Sequence, residues 1–286
     1  MPTKIKKKHI IMLAIVTVLI LLIIWIAYGN TDLEIYKYNV KSEDIPSEFD
    51  NFRIVQISDL HNAEFGENNE KLLFMLEECE PDIILITGDL VDSRRTDIEI
   101  GITFAKKATM IAPTYYVTGN HEARIDEYEE LINGLQQAGV HVLQNECVLL
   151  EQSGETIAIA GIEDPSFATD YLFGDSETVT NDVLSELIDE DIYTVLLAHR
   201  PELFNTYLEC EADLVFSGHA HGGQFRIPFV GGLVAPNQGL FPKYDAGIYS
   251  KEGTDMIVSR GIGNSILPFR INNRPEIVVV ELENKE

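Results

Sequence analysis

Phe52-Arg53-Ile54-Val55-Gln56-Ile57-Ser58-Asp59-Leu60-His61 reads as an apolar strand that ends directly on a carboxylate and an imidazole. The same design recurs down the chain. Asp82 to Thr87 is a continuous apolar strand ending in Gly88-Asp89-Leu90-Val91-Asp92, and Thr114 to Thr118 ends in Gly119-Asn120-His121-Glu122. Tyr193 to Ala198 leads into His199-Arg200, and Asp213 to Ser217 into Gly218-His219-Ala220-His221. Amphipathic helical patterns separate the first three strands. Glu67 to Glu80 carries Leu72, Leu73, Leu76 and Cys79 at helical spacing before Pro81, Asp97 to Met110 forms the next helix, and Asp126 to Ala138 is closed by Gly139. Strands alternating with helices argue for an α/β domain whose sheet is largely buried. In such sheets, ligands bind beyond the carboxyl ends of the strands, where these five tips would meet.

The second half is expected to add short strands at about 140–150 and 156–161, a helix at about 178–190, and strands near 255–260 and 276–282. Residues 222–249 are rich in glycine, proline and aromatics, including Phe225, Phe229 and Phe241. That length suits a functional loop and equally a hairpin packed as core.

At the other end, Lys4, Lys6, Lys7 and Lys8 precede 19 uncharged residues, Ile10 to Tyr28. As a helix this run spans roughly 28 Å, the thickness of a bilayer's hydrocarbon core. It ends in Trp25-Ile26-Ala27-Tyr28-Gly29-Asn30 rather than a small-residue cleavage site, so an uncleaved anchor is expected. The lysines place the N-terminus inside and the rest outside the cell membrane in a single pass. The expected organisation is a cytoplasmic flank at 1–9, an anchor at 10–28, a polar connector at 29–50 and one domain at 51–286.

Residues 30–286 carry 17 basic against 47 acidic residues. Such a surface repels nucleic acid, which is bound by neutralising its phosphates. The three cysteines, Cys79, Cys147 and Cys210, lack metal-ligand spacing and are expected as separate buried side chains.

Five of the seven histidines lie at the strand tips; His9 and His141 do not. In Asp59-x-His61 and His219-x-His221, extended backbone would point both side chains to one side. Glycines at 88, 119 and 218 permit tight turns and close approach. Carboxylates and imidazoles gathered this way suit divalent metal ions.

In order, these clusters resemble the D-x-H, G-D-x-x-D, G-N-H-[DE], lone H and G-H-x-H blocks of the calcineurin-like metallophosphoesterase superfamily, over about residues 52–282. Gly218-His219-Ala220-His221-Gly222-Gly223-Gln224 and Ser259-Arg260-Gly261-Ile262-Gly263 are similar to its membrane-associated bacterial branch of YkuE-like phosphodiesterases. The resemblance implies a four-layer α/β/β/α sandwich behind the transmembrane helix, and a phosphoesterase with two metal ions. Asp59, His61 and His221 would hold one ion, Asn120, His199 and His219 the other, and Asp89 would bridge them. His121 would protonate the leaving group, with Asp92 orienting it.

In the superfamily's protein phosphatases an arginine directly follows that aspartate; here Ser93 intervenes before Arg94 and Arg95. Arg200 and Phe225 are alternative substrate contacts. Hydrolysis is expected by in-line attack of a hydroxide held between the ions, with no covalent intermediate. Nitrogen and oxygen ligands suit Mn²⁺, Zn²⁺, Fe²⁺ or Co²⁺, and the branch resemblance puts manganese first. The substrate is a phosphodiester or pyrophosphate, lipid-linked, cell-wall-linked or nucleotide in origin. A phosphomonoesterase and a catalytically silent, surface-anchored metal-binding module are the alternatives.

Overall fold

Period-two alternation within the strands decides how the layers stack. The computed structural model describes residues 7–168, 175–265 and 267–285. Its first sheet places β1 (Glu34–Ser42), β16 (Glu276–Asn284), β2 (Arg53–Ile57), β3 (Ile83–Thr87), β4 (Thr114–Val117) and β5 (His141–Val142) side by side in that order. The second runs β14 (Gly247–Lys251), β15 (Thr254–Val258), β9 (Leu214–Ser217), β8 (Thr194–Leu197), β7 (Glu155–Gly161) and β6 (Glu146–Gln152). The strands that lead into the clusters are parallel within their sheets: β2, β3 and β4 in one, β8 and β9 in the other.

Successive residues of β3 face opposite ways. Ile83 and Leu85 enter a core shared with Val195, Phe216 and Ile257 of the second sheet, while Ile84 and Ile86 pack outward. Their outward partners include Leu72 and Leu76 of α2 (Glu70–Glu77), Phe104 of α3 (Ile98–Ala108), and Leu131 and Leu135 of α4 (Tyr128–Gln137). On the far side, Leu196 and Val215 pack with Leu184 of α5 (Ser176–Leu187) and Tyr207 of α6 (Phe204–Glu209). Three cores between four layers make the α/β/β/α sandwich.

The stretch expected as a polar connector differs. Residues 34–42 form β1, paired in parallel with β16 over nine positions, and Val40, Ile45 and Phe49 are buried. Their polar, weakly alternating sequence suits an edge strand with its outer side in water. Cys147, expected to be buried, is exposed on edge strand β6.

Before β1 runs α1 (Lys7–Thr31), 25 residues with none buried, long and apolar enough to cross a membrane. Only Asp32 and Leu33 separate it from β1, and the junction is tied down. Asn30 accepts a hydrogen bond from the Arg270 amide at 2.7 Å, Arg274 pairs with Asp32 and Glu34, and the Arg274 guanidinium lies 5.4 Å from the Tyr28 ring centroid.

Residues 222–249 are neither one open loop nor one hairpin. They make two small ladders, β10 (Arg226–Ile227) with β11 (Gly231–Gly232) and β12 (Val234–Ala235) with β13 (Gly239–Leu240), before entering β14.

Candidate metal centre

The five strand ends converge beyond the carboxyl edges of the two sheets. Two side-chain groups could each hold a metal ion there: Asp59, His61, Asp89 and His221, and Asp89, His199 and His219. All are buried. The backbone achieves this otherwise than by extension. Asp59, His61, Asp89, His219 and His221 are all left-handed, with φ between 47° and 63°. The chain therefore coils tightly at the ends of β2, β3 and β9, in a conformation that non-glycine residues rarely hold. Gly218 is needed beside Asp59, because a Cβ there would run into Ser58 Oγ and Asp59 Oδ2.

Asp89 is common to both groups, and its two oxygens do different work. Oδ1 accepts the His121 amide at 2.8 Å. Oδ2 lies 3.6 Å from His61 Nε2 on one side and 3.3 Å from His199 Nε2 on the other. A single oxygen thus faces both groups. On the first side, His61 Nε2 and His221 Nε2 are 3.0 Å apart, and His221 Nε2 is 3.3 Å from Asp59 Oδ1. Asp59 is itself held by Ser58 Oγ at 2.6 Å and the His219 amide at 3.1 Å.

The donor set fits divalent metal. His199 Nδ1 bonds the Thr87 carbonyl at 2.7 Å, which can only accept, so in the neutral ring the lone pair is left to Nε2. That Nε2 and Asn120 Oδ1 are buried acceptors without a protein partner. Buried polar atoms are rarely left so, and these two belong to one expected ligand set. The electrostatics agree. Burial pushes His61 and His219 down to about 3, leaving them as neutral imidazoles able to ligate, and lifts Asp59 to about 6. Burial also opposes a charge on His199, yet adjacent Asp89 raises it to about 10, so without an ion the ring carries a second proton on Nε2, which a metal ion bound there would displace.

The remaining expected residues divide. His121 lies at the cleft, its Nε2 4.0 Å from Asp89 Oδ2. Its Nδ1 is 3.6 Å from Asp92, too far for a hydrogen bond, and instead accepts the Ser93 amide at 3.0 Å. That donation puts the ring proton on Nε2, facing the site. Asp92 holds Arg94 through two bonds of 3.0 and 2.9 Å and so shapes the turn that presents Ser93. Ser93, which interrupts the expected spacing, supplies the contact expected of Asp92.

Arg200 lines the same cleft of about 480 Å³, paired with Asp164 at 2.7 and 2.8 Å and with Ser166 at 2.8 Å. Phe225 does not line it: the ring packs on Phe269, 5.5 Å between centroids, because its backbone bridges to Ile271.

Three contributors escaped the sequence reading. Glu122 is buried and accepts the amides of Gly119 at 2.7 Å, Asp89 at 3.0 Å and Val91 at 3.2 Å, tying two tips together; burial raises it to about 7. Its place after Gly119-Asn120-His121 was the available signal. Arg270, fully buried, caps the Arg260 and Gly263 carbonyls and reaches within 3.4 Å of His221 Nδ1. Asn237, from the glycine-rich segment, lies 3.3 Å from His219 Nε2 and bonds Glu202 at 2.7 Å. No local pattern announced either of the last two.

Known proteins give the centre its context. The chain is 30% identical to the uncharacterized metallophosphoesterase YkuE of Bacillus subtilis over 260 residues, 88% of this chain and 86% of that protein. It is 26% identical to the phosphodiesterase YaeI of Escherichia coli over 242 residues, 81% and 82% of the two chains. A Bos taurus transmembrane protein with a metallophosphoesterase domain is 28% identical over 251 residues, 84% of this chain and 54% of that protein. The family profile described as calcineurin-like phosphoesterase matches residues 52–223. Because that span runs from the strand before Asp59 to the turn that holds His221, taking in every cluster at the centre, the chain belongs to the calcineurin-like phosphoesterase family.

Proposed function

We propose that this hydrolase cleaves a phosphodiester or pyrophosphate bond at a dinuclear centre on the outer side of a membrane, with a lipid-linked phosphate as the favoured substrate. The observation that carries this is Asp89 Oδ2, set between two groups of buried ligands. Asp59, His61 and His221 would hold one ion and Asn120, His199 and His219 the other. When bound, the ions supply a water acidic enough to ionise near neutral pH and positive charge for the phosphoryl oxygens. Manganese is the first choice, on family resemblance.

His121 carries its proton on Nε2 toward the cleft and donates it to the departing oxygen, while Ser93 fixes the ring. Two arginines near the centre are each neutralised by a buried carboxylate, Arg94 by Asp92 and Arg200 by Asp164. Arg124, exposed on the cleft wall, keeps its charge without a carboxylate partner among the described residues, and this single positive charge matches the single negative charge of a diester. The lysines that precede the apolar run of α1 support an inside N-terminus, and α1 as the single anchor.

The test is hydrolysis of bis(p-nitrophenyl) phosphate and p-nitrophenyl phosphate by the detergent-solubilised chain, stripped of metal and reloaded with Mn²⁺, Zn²⁺ or Mg²⁺. Activity should return with metal and favour the diester. His121→Ala should bind metal normally and lose about 10²- to 10⁴-fold in turnover. Unchanged turnover removes the acid assignment. Two ions bound with no hydrolysis would favour a silent metal-binding module.

A further inference from the structure

The 47 acidic residues are unevenly spread: none lies between Leu214 and Tyr244, or between Met256 and Pro275. Those stretches hold five cationic residues; Arg226, Arg260 and Arg274 pair with carboxylates and Arg270 is buried, which leaves Lys243 as the exposed one. Both stretches border the cleft, through Asn237 and Ser265. The first also exposes its largest apolar side chains. Phe229, at the tip between β10 and β11, is wholly in solvent, Leu240 is 70% exposed, and Val230 and Phe241 are exposed beside them. Among the described residues, Phe74 and Leu149 are exposed with no exposed large apolar residue beside them in sequence, which is normal for a soluble surface.

The position of this patch points to its occupant. β10 is fastened to Ile271, whose carbonyl accepts the Arg226 amide at 2.9 Å. Ile271 lines a groove with Trp25, Ile26 and Tyr28 at the C-terminal end of α1. Phe229 is three residues from Arg226, hence within about 10 Å of that anchor point. Trp and Tyr at the end of an apolar helix mark the level of the bilayer interface. The hairpin tip is therefore held at the level where α1 would leave the lipid.

We infer that the hairpins β10–β11 and β12–β13 form a foot that enters the same bilayer. Phe229, Val230, Leu240 and Phe241 sink into the interface, and the acid-free rim, with Lys243 exposed on it, faces anionic headgroups without the repulsion the rest of the domain would meet. The cleft then opens onto the headgroup layer. This rests on reading α1 as a membrane anchor.

The test uses the full chain in vesicles of phosphatidylcholine and phosphatidylglycerol whose acyl chains carry bromine, a contact quencher. Trp25 is the only tryptophan, so the parent reports on α1 alone. Phe229→Trp in a Trp25→Phe background reports on the foot, and Leu149→Trp in that background, on the opposite edge of the second sheet, is the control. The Phe229→Trp variant should lose most of its emission to brominated lipid and resist aqueous acrylamide, with the control behaving in reverse. Adding Phe241→Glu should reduce the lipid quenching while leaving bis(p-nitrophenyl) phosphate hydrolysis unchanged. A Phe229→Trp signal that matches the control, while Trp25 is quenched, overturns the foot and leaves the anchor standing. An unquenched Trp25 overturns the anchor and the foot together, and surrogate hydrolysis still reports on the metal centre.

Discussion

Asp59, His61, Asp89, His219 and His221 each occupy left-handed backbone, a conformation that costs of order 1–3 kcal/mol per residue outside glycine. Such strain persists only where neighbours hold it, and Glu122 is one of the holders. Its carboxylate gathers three amides from the loops of Asp89 and Asn120. Glu122→Gln would place an amide NH₂ against those donors. We expect it to lower stability by about 1–3 kcal/mol in thermal unfolding and metal affinity by about 10- to 100-fold in titration. Unchanged metal affinity would leave Glu122 with a folding role only. The contrast with His121→Ala, which should spare the ions, separates holding the centre from using it. At this scale the ligand residue types were legible in the sequence, because carboxylates and imidazoles at strand ends are few and informative. The backbone that presents them was not: a two-residue spacing reads the same in extended and in coiled chain. Nor was Ser93, since backbone donors leave no trace in residue identity.

Among the elements, helices and buried parallel strands were legible because each has a single apolar period to satisfy. β1 was not, since an edge strand with one side in water needs little apolar pattern, and its partner β16 lies more than 230 residues away in sequence. Charge placement within the sheets has consequences of its own. Asp213, just before β9, accepts the Thr194 amide at 2.7 Å and so links two central strands. Burial lifts its carboxyl from 3.8 to about 6, so the folded chain holds this proton more tightly than the unfolded chain does. Its contribution is therefore full below the unfolded value and is lost as pH rises through about 6. Asp213→Asn keeps an acceptor for Thr194 and removes the titration. Its stability relative to the parent should rise between about pH 4 and 6 and then level off, as read by denaturant unfolding across pH. A difference independent of pH would contradict this.

For the whole molecule, β1 makes residues 34–50 part of the folded unit. A fragment starting at 51 loses a nine-residue ladder on β16 together with buried Val40, Ile45 and Phe49, on the order of several kcal/mol of apolar burial. We expect it to aggregate or melt well below a fragment starting at 32; equal melting temperatures would show that β1 is dispensable. The four-layer architecture followed from family resemblance, whereas the placement of the glycine-rich segment depends on contacts with residues 267–273, distant in sequence and invisible to local pattern. The junction of α1 and β1, two residues long and braced by Asn30, Arg270 and Arg274, leaves the catalytic unit almost no leash. In the proposed orientation such an enzyme searches an area rather than a volume. Its encounters are governed by lateral diffusion and by the mole fraction of substrate in the lipid. Diluting the substrate with inert lipid should slow turnover even at constant bulk concentration, and adding solvent should not.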